Sequence, residues 1–505
     1  MNSNLDYSCV ETTSAEPDAS SMIETFRAVG YSLETAISDI IDNSIAANAK
    51  NIWIDYYWEG ENTVLSILDD GKGMTDEDLI QAMRPGSKNP LDVREKNDLG
   101  RFGLGLKTAS FSQTRKFSVI SKAIDSIPYL WSWDLDFVNK SKSWTLIRYC
   151  PQYEHFIEKI QHLASGTCVI WWDLDRITKD TKEDNEDSKK KFLEIMDNVK
   201  KHLSMVFHRF IDAGTNIYFQ GRKIKSWDPF MIGFNGLQPK PEVKFQDGEV
   251  IIKGFVLPHR SKLSPEDYDY GKGPKESWTA HQGFYVYRNR RLLVPGDWLG
   301  LFKKEVHYDL CRIRIDLTNN VDEDWQIDIK KSIARPPLKY KEQITVVAKE
   351  VRIQALEVYR SKGKILKRKL ADDEYFPFWE ERLRHGKRFY RINRKHPLID
   401  ELLSKSSDLT INVENILQFI EETIPVPLIT FQENEKHIPH GQPFEGKNDE
   451  AVRSTMKAMY QNLRNSGKTD ERAKSIILNI EPFDYYPQYL EFNGENNASE
   501  CNSDN

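Results

Sequence analysis

A chain of 505 residues with 71 Lys and Arg against 77 Asp and Glu carries a formal net charge of -6, which excludes nucleic-acid binding through overall basicity and leaves only a local patch for it. Apolar residues make up 39% and charged residues 29%, as in ordinary globular proteins, and the length implies about two to four domains. The five cysteines (Cys9, Cys150, Cys168, Cys311, Cys501) form no C-x-x-C pair, no signal-peptide order opens the chain, and no apolar run approaches the ~20 residues of a membrane span. The expectation is a cytoplasmic protein with free thiols, no zinc site, no disulfide framework and no membrane partner.

Residues 1–20 are polar and read as a flexible N-terminal segment. From Leu33 to Ala49 the apolar positions Leu33, Ala36, Ile37, Ile40, Ile41 and Ile45 form one helical stripe. Asn51–Tyr57 and Thr63–Leu68 read as strands. Thr75 to Asp78 resembles a capping box opening a short helix toward Met83. Residues 84–99 are rich in Pro, Gly, Lys and Asp and read as a long loop, followed by a Gly-rich turn and a helix from Leu104 to about Ser112. Strands are predicted at 116–121, 129–135, 144–149 and 167–173. The charged stretch Thr178–Lys191 reads as a domain boundary leading into a long helix through Phe210. Further strands are predicted at 215–220, 249–256, 283–287, 311–318 and 325–330, ending at Arg335-Pro-Pro337. The remainder reads as mostly helical. This gives an α+β chain divided at 21–178, 183–337 and 338–493, with a polar tail at 494–505.

Four short boxes carry chemistry. In Asp39-Ile-Ile-Asp-Asn43, Asp39 and Asn43 stand one helical turn apart on one face. An amide oxygen there can ligate Mg²⁺, and a carboxylate one turn away can take a proton from an attacking water. In Asp69-Asp-Gly-Lys-Gly73-Met74 a carboxylate at a strand end can accept a hydrogen bond from an adenine amino group, and the glycines let backbone pass close to the base. In Gly100-Arg101-Phe102-Gly103-Leu104-Gly105, followed by Lys107, glycines before a helix leave backbone N–H groups and the helix dipole for phosphate, and Lys107 adds a point charge. In Gly166-Thr167 a hydroxyl opening a strand can hydrogen-bond the base.

Taken in this order, the boxes over residues 21–175 resemble the GHKL (Bergerat-fold) superfamily, shared by gyrase B, the large heat-shock chaperone, MutL and sensor histidine kinases. The resemblance implies an α/β sandwich with helices on one face of a mixed sheet, with ATP and Mg²⁺ as cofactors. It implies Asn43 as Mg²⁺ ligand, Asp69 as adenine ligand and Gly100 to Lys107 as phosphate lid. Asp39 stands where most ATPases of the superfamily carry Glu. It is one methylene shorter, and slow hydrolysis is expected. No His precedes His155, which argues against a kinase carrying its own acceptor. Phe102-Gly-Leu-Gly-Leu-Lys-Thr108 and Asp39-Ile-Ile-Asp-Asn-Ser44 look like the MORC branch, and the resemblance is greatest to prokaryotic MORC-like ATP-binding proteins. Gly283 to Leu292 resembles the transducer domain of MORC and MutL, which implies that Lys331 or Lys330, after Trp325, senses the γ-phosphate.

These likenesses imply a dimeric clamp, homodimeric and gated by ATP, acting on DNA and associated with restriction or phage-defence partners. The alternative is a chaperone-like or scaffolding ATPase with a protein client. The basic segment bears on that choice. Residues 360–395 hold thirteen Lys and Arg against five acids, with Tyr375, Phe376, Phe378, Trp379, Phe389 and Tyr390 interleaved. It reads either as a solvated helix face or as a surface that tracks duplex phosphates.

Overall fold

The computed structural model describes residues 10–11, 13, 17–28, 30–86, 105–245, 248–322, 324–326, 334–360, 378–384, 387–404, 407–424, 449–478, 483 and 489. The chain divides into two compact units, Met1–Ala355 and Leu356–Asn505.

In the first unit, α1 (Ala19–Arg27) and α2 (Leu33–Ala46) precede β1 (Asn51–Tyr57) and β2 (Val64–Asp69). Next come α3 (Asp76–Met83), α4 (Gly105–Gln113), β3 (Lys116–Lys122), β4 (Tyr129–Asp134), α5 (Leu135–Ser141), α6 (Tyr153–Gln161) and β5 (Gly166–Trp172). Then follow α7 (Glu186–Val206), α8 (His208–Asp212), β6 (Asn216–Phe219) and β7 (Arg222–Lys223). The seven strands form one sheet in the order β4-β3-β5-β2-β1-β6-β7, antiparallel throughout except that β1 runs parallel to β6.

All six residues of β2 are buried, because both faces of the sheet are covered. Leu65 and Ile67 join Ile52, Ile54, Phe117, Val119 and Trp171 under the apolar faces of α1, α2, α4 and α7. Val64 and Leu68 turn the other way, with Ile120, Cys168 and Ile170, onto Phe156 and Ile160 of α6. The fold is the expected α/β sandwich, with one short helix added on the opposite face.

α7 is the spine between the two sheets. Asn185 caps it by accepting from the Ser188 N–H, and Phe192, Met196, Val199, Leu203 and Val206 recur at three- and four-residue spacing along its buried side. Its core continues into the second sheet through Phe230, Phe255, Tyr285 and Tyr287. That sheet comprises β8 (Gln238–Phe245), β9 (Val250–Val256), β10 (Gly283–Arg288), β11 (Arg291–Asp297) and β12 (Cys311–Leu317) in the order β11-β10-β12-β9-β8, with α9 (Pro265–Lys272) between β9 and β10. α10 (Leu338–Arg360) begins within this unit.

Several sequence expectations change. Residues 144–149 are not a strand; they hold a single bridge, Ser132 to Ile147. α1, α5, α6, α9, β7, β8 and β11 are additional elements, and α1 begins inside the segment read as flexible. The 215–220 strand belongs to the first sheet, because Asn216–Phe219 pairs with Asn51–Ile54. Trp325 and Gln326 lie in a turn, and the rest of the strand expected to Lys330, with Lys331, lies outside the described residues.

In the second unit, β13 (Trp379–Arg384) and β14 (Lys387–Ile392) form an antiparallel hairpin, followed by α11 (Pro397–Ser404), α12 (Ser407–Glu422) and helices Asp449–Asn465 and Asp470–Leu478. The region is mostly helical as expected, but its basic stretch is a hairpin where described, not a helix face. Residues 361–377 and 385–386 of that stretch lie outside the described residues. Among the described residues no helix is long and apolar enough to cross a membrane. Cys150, Cys168 and Cys311 are free and buried.

Candidate functional site

α2 starts where Ser32 accepts a hydrogen bond from the Thr35 N–H, and its Ala36, Ile37, Ile40 and Ile41 are buried against the sheet. Asn43 projects from this helix as an exposed side chain. Asp39, one turn earlier, is only 2% exposed, so the face it shares with Asn43 is not simply solvated. The Tyr31 hydroxyl donates to Asp39 Oδ2 at 2.9 Å, and a Cβ built on Gly105 would lie 3.8 Å from the same oxygen. The carboxylate therefore sits beside the N-terminus of α4. The far end of α4 is fixed by Arg27, which donates to the carbonyls of Phe111 and Thr114 and pairs with Asp175 at 2.6 Å. A cation at a helix C-terminus complements the dipole whose positive end lies near Asp39.

The second box meets the first and the fourth directly. Asp69 Oδ2 accepts from the Ser44 hydroxyl at 2.7 Å, and Oδ1 from the Gly71 N–H at 2.9 Å. Asp69 and Thr167 are register partners across β2 and β5, and Thr167 Oγ1 shares a 2.8 Å hydrogen bond with Ser121. Burial pushes the Asp69 carboxyl up to about 6, against the lowering effect of the Ser44 and Gly71 hydrogen bonds. Asp70 does different work: its carboxylate accepts from the backbone N–H groups of Lys50 and Asn51 and fastens the start of β1.

Two glycines let the backbone close around this carboxylate. At Gly166 an added Cβ would lie 2.2 Å from the Asp69 carbonyl oxygen. Gly73 has φ +63°, and its Cβ would meet the Lys122 carbonyl oxygen at 1.8 Å. Gly73→Ala combines a left-handed backbone with a hard clash, so it is expected to cost on the order of 3 kcal/mol of stability. Calorimetric melting of the variant checks this, and an unchanged melting temperature counts against the close approach.

The remaining predicted positions divide. Met74 is partly buried and packs on the main core. Lys107 is 3% exposed and its Nζ donates to the Ala82 carbonyl at 2.9 Å, so its ammonium caps the end of α3. Gly100, Arg101, Phe102, Gly103 and Leu104 lie outside the described residues, as do Lys330 and Lys331. Ser44 was missed as a site residue although it sits in the quoted box next to Asn43. Tyr31 carries no signal in the sequence pattern.

Asp42, three residues after Asp39, takes its partner from another element. Its Oδ1 accepts from Arg291 Nε at 2.9 Å, with both side chains almost wholly buried. Arg291 opens β11, so the second sheet touches the helix that carries the site.

The arrangement suits a purine nucleotide. A buried carboxylate and a hydroxyl stand side by side at the strand ends to pair with a base edge, and the exposed Asn43 lies one turn from Asp39 for the phosphate end. Among the described residues no group of three or more His, Cys, Asp or Glu side chains could hold a metal ion. Asn43 is a residue that could hold Mg²⁺ together with phosphate oxygens and water, which suits a hard ion that keeps part of its hydration shell.

Comparison with known proteins matches residues 31–167 to the family described as Histidine kinase-, DNA gyrase B-, and HSP90-like ATPase. ATPase morc-1 of Caenorhabditis elegans is 30% identical over 88 residues, which cover 17% of this chain and 10% of that protein. DNA mismatch repair protein MutL of Dictyoglomus turgidum is 35% identical over 92 residues, 17% of this chain and 16% of that protein. The matched stretch is thus a small part of either relative.

Proposed function

We propose, from the match of residues 31–167 to GHKL-superfamily ATPases and the likeness to MORC and MutL proteins, that this chain is an ATP-gated dimeric clamp that hydrolyses ATP slowly and acts on DNA. The observation that carries the nucleotide reading is the junction of Asp69, Ser44 and Thr167. Three separate boxes converge there on one buried carboxylate, next to the helix that bears Asn43 and Asp39.

In this reading Asp69 accepts from the adenine amino group, and Thr167 completes the base contact. Asn43 holds Mg²⁺, which neutralises phosphate charge when bound. Asp39, oriented by the Tyr31 hydroxyl, takes the proton of the attacking water. Gly100 to Gly105 and Lys107 close over the phosphates, and Lys331 or Lys330 steadies the developing γ-phosphate charge. For Lys107 this requires leaving the Ala82 carbonyl when the lid closes.

A DNA client is supported by the local excess of cations at 360–395 and by exposed aromatics on the hairpin, Phe378, Trp379 and Tyr390. One relative is by name a DNA mismatch repair protein. Two of the cations at 360–395 are already engaged, since Arg394 pairs with Glu414 and Glu421 and Arg391 lies 3.8 Å from Glu414, which weakens the DNA reading relative to a protein client. A place in a restriction or phage-defence system rests on the MORC-like resemblance alone.

Sedimentation and ATPase assays, run with and without duplex DNA, test the proposal. A non-hydrolysable ATP analogue is expected to convert the protein to a tight two-fold dimer, and deleting residues 1–20 to weaken it. Duplex binding is expected to fall steeply with salt and to disappear when Lys367, Arg368, Lys387 and Arg388 become Glu, with ATP affinity kept. A monomer at saturating analogue refutes the clamp. No DNA binding at low salt makes the protein client the better reading.

A further inference from the structure

We infer that Arg291 is a positioning residue for ATP turnover: reaching from the second sheet, its guanidinium holds Asp42 and through it sets where Asp39 stands. The inference rests on the reading of that face as the catalytic side of an ATP site.

The ion pair is a direct polar link between β11 and the helix that carries Asp39 and Asn43. Arg291 Nε donates to Asp42 Oδ1 at 2.9 Å, with side-chain exposures of 5% and 1%. The guanidinium lies over the Phe207 ring, 4.7 Å from its centroid, and donates to the Leu292 carbonyl. His202 of α7 stands nearby and is held neutral, pushed down to about 3 by burial and then by the charge of Arg291. A well-packed apolar pair in such a place is often as stable or more so, because two charges must lose their water. What a buried pair adds is a single permitted alignment of the elements it joins. Here those elements are α2 and the second sheet.

The turn that carries Arg291 is stiff and has a second anchor. Asn289 and Arg290 both have positive φ, +46° and +73°, as in the tight two-residue turns that fit strand twist. Arg288 and Arg291 flank them as register partners. Arg288 Nε donates to both carboxylate oxygens of Asp322, at 2.8 and 3.0 Å, again buried. One hairpin thus fixes α2 on one side and, on the other, the chain just after β12, eight and nine residues before Lys330 and Lys331.

This wiring separates binding from turnover. Asp69, Thr167, Gly73 and Gly166 lie on the first sheet or its flanking turns, and among the described contacts none ties them to Arg291. Nucleotide affinity should survive loss of the pair, while Asp39 should lose its alignment with the phosphate end of the site.

Steady-state ATPase kinetics and analogue affinity are compared for wild type, Arg291→Gln, Arg291→Lys, Asp42→Asn and the double variant Asp42→Asn with Arg291→Gln. Arg291→Gln is expected to lower kcat at least tenfold with the dissociation constant for a fluorescent ATP analogue within threefold of wild type. Arg291→Lys, which keeps the charge, is expected to recover part of kcat. The double variant is expected to be no worse than the poorer single one. A folded Arg291→Gln protein with kcat within twofold of wild type overturns the inference. So does an affinity loss as large as the kcat loss with no recovery in Arg291→Lys, which marks a merely structural pair. Should Arg291→Gln fail to fold, the apolar pair Asp42→Leu with Arg291→Met, which removes the polar link and leaves no buried charge, decides: kcat within twofold of wild type overturns the inference. A wild-type protein that binds no ATP overturns the site reading first, and the inference with it.

Discussion

Asp39→Ala is expected to bind ATP about as well as wild type and to lose turnover by about a hundredfold or more, the usual contribution of a positioned general base. Asp39 is the carboxylate one turn from Asn43 on the face that Gly105 approaches, and the Tyr31 hydroxyl fixes one of its oxygens. Its shorter side chain, compared with the Glu expected in the superfamily, leaves less reach. Asp39→Glu is therefore an informative companion, expected to keep measurable turnover. With hydrolysis blocked, the ATP-bound dimer should persist in sedimentation without any analogue. Single-turnover measurement with saturating ATP separates binding from chemistry. Wild-type turnover in Asp39→Ala removes Asp39 from the mechanism.

The second large effect concerns Asp69. Asp69→Asn is expected to weaken ATP binding by roughly 1–3 kcal/mol, the cost of leaving a buried donor poorly paired. The same substitution should have the opposite effect on the empty protein. The folded-state carboxyl is pushed up to about 6 from an ordinary value of 3.8, so the fold disfavours its charged form. The stabilising contribution of the protonated group is complete below about pH 3.8 and is lost as pH rises through about 6. Above that range the buried charge costs on the order of 3 kcal/mol. Asp69→Asn without nucleotide is therefore expected to be more stable than wild type at pH 8, with the advantage gone near pH 4. Wild-type ATP affinity should fall as pH drops below about 6, where the acceptor becomes protonated, and the variant should lack that dependence. Calorimetry across pH checks both arms. Equal ATP affinity for the two proteins at pH 8 removes Asp69 as the adenine contact.

The first, second and fourth boxes could be marked in the sequence because each rests on a particular residue type at a fixed local spacing: Asn43 four after Asp39, glycines around Asp69, glycine before Thr167. Their convergence was less so, since the register partners Asp69 and Thr167 stand far apart in the chain and only sheet order joins them. The burial of Asp39 was hidden because a helical period places it with Asn43 on a polar face. Only Tyr31 and the start of α4, brought in by tertiary packing, show that the face is partly roofed. Lys107 illustrates the same limit: its spacing after the glycines suggests phosphate, whereas the packed chain also offers it the end of α3. The Arg291–Asp42 pair could not be anticipated, because neither residue departs from what a polar helix position or a basic turn would hold. Residues 144–149 misled through alternation alone; with no continuous neighbour on either side they make one bridge. The helix at 153–161 went unread because its apolar face covers the side of the sheet that such sandwiches were expected to leave open.

The parallel pairing of β1 with β6 sets a limit on where this chain can be divided. Asn51–Ile54 find their partner strand only at Asn216–Phe219, on the far side of α7. During synthesis the first sheet must wait, with one flank of β1 unpaired, until Asn216–Phe219 have been made. A fragment ending at 178 would keep all four boxes yet expose that flank as a free template for another chain. The folding unit is thus longer than the matched stretch: residues 31–167 carry the family likeness, but the sheet ends only at β7.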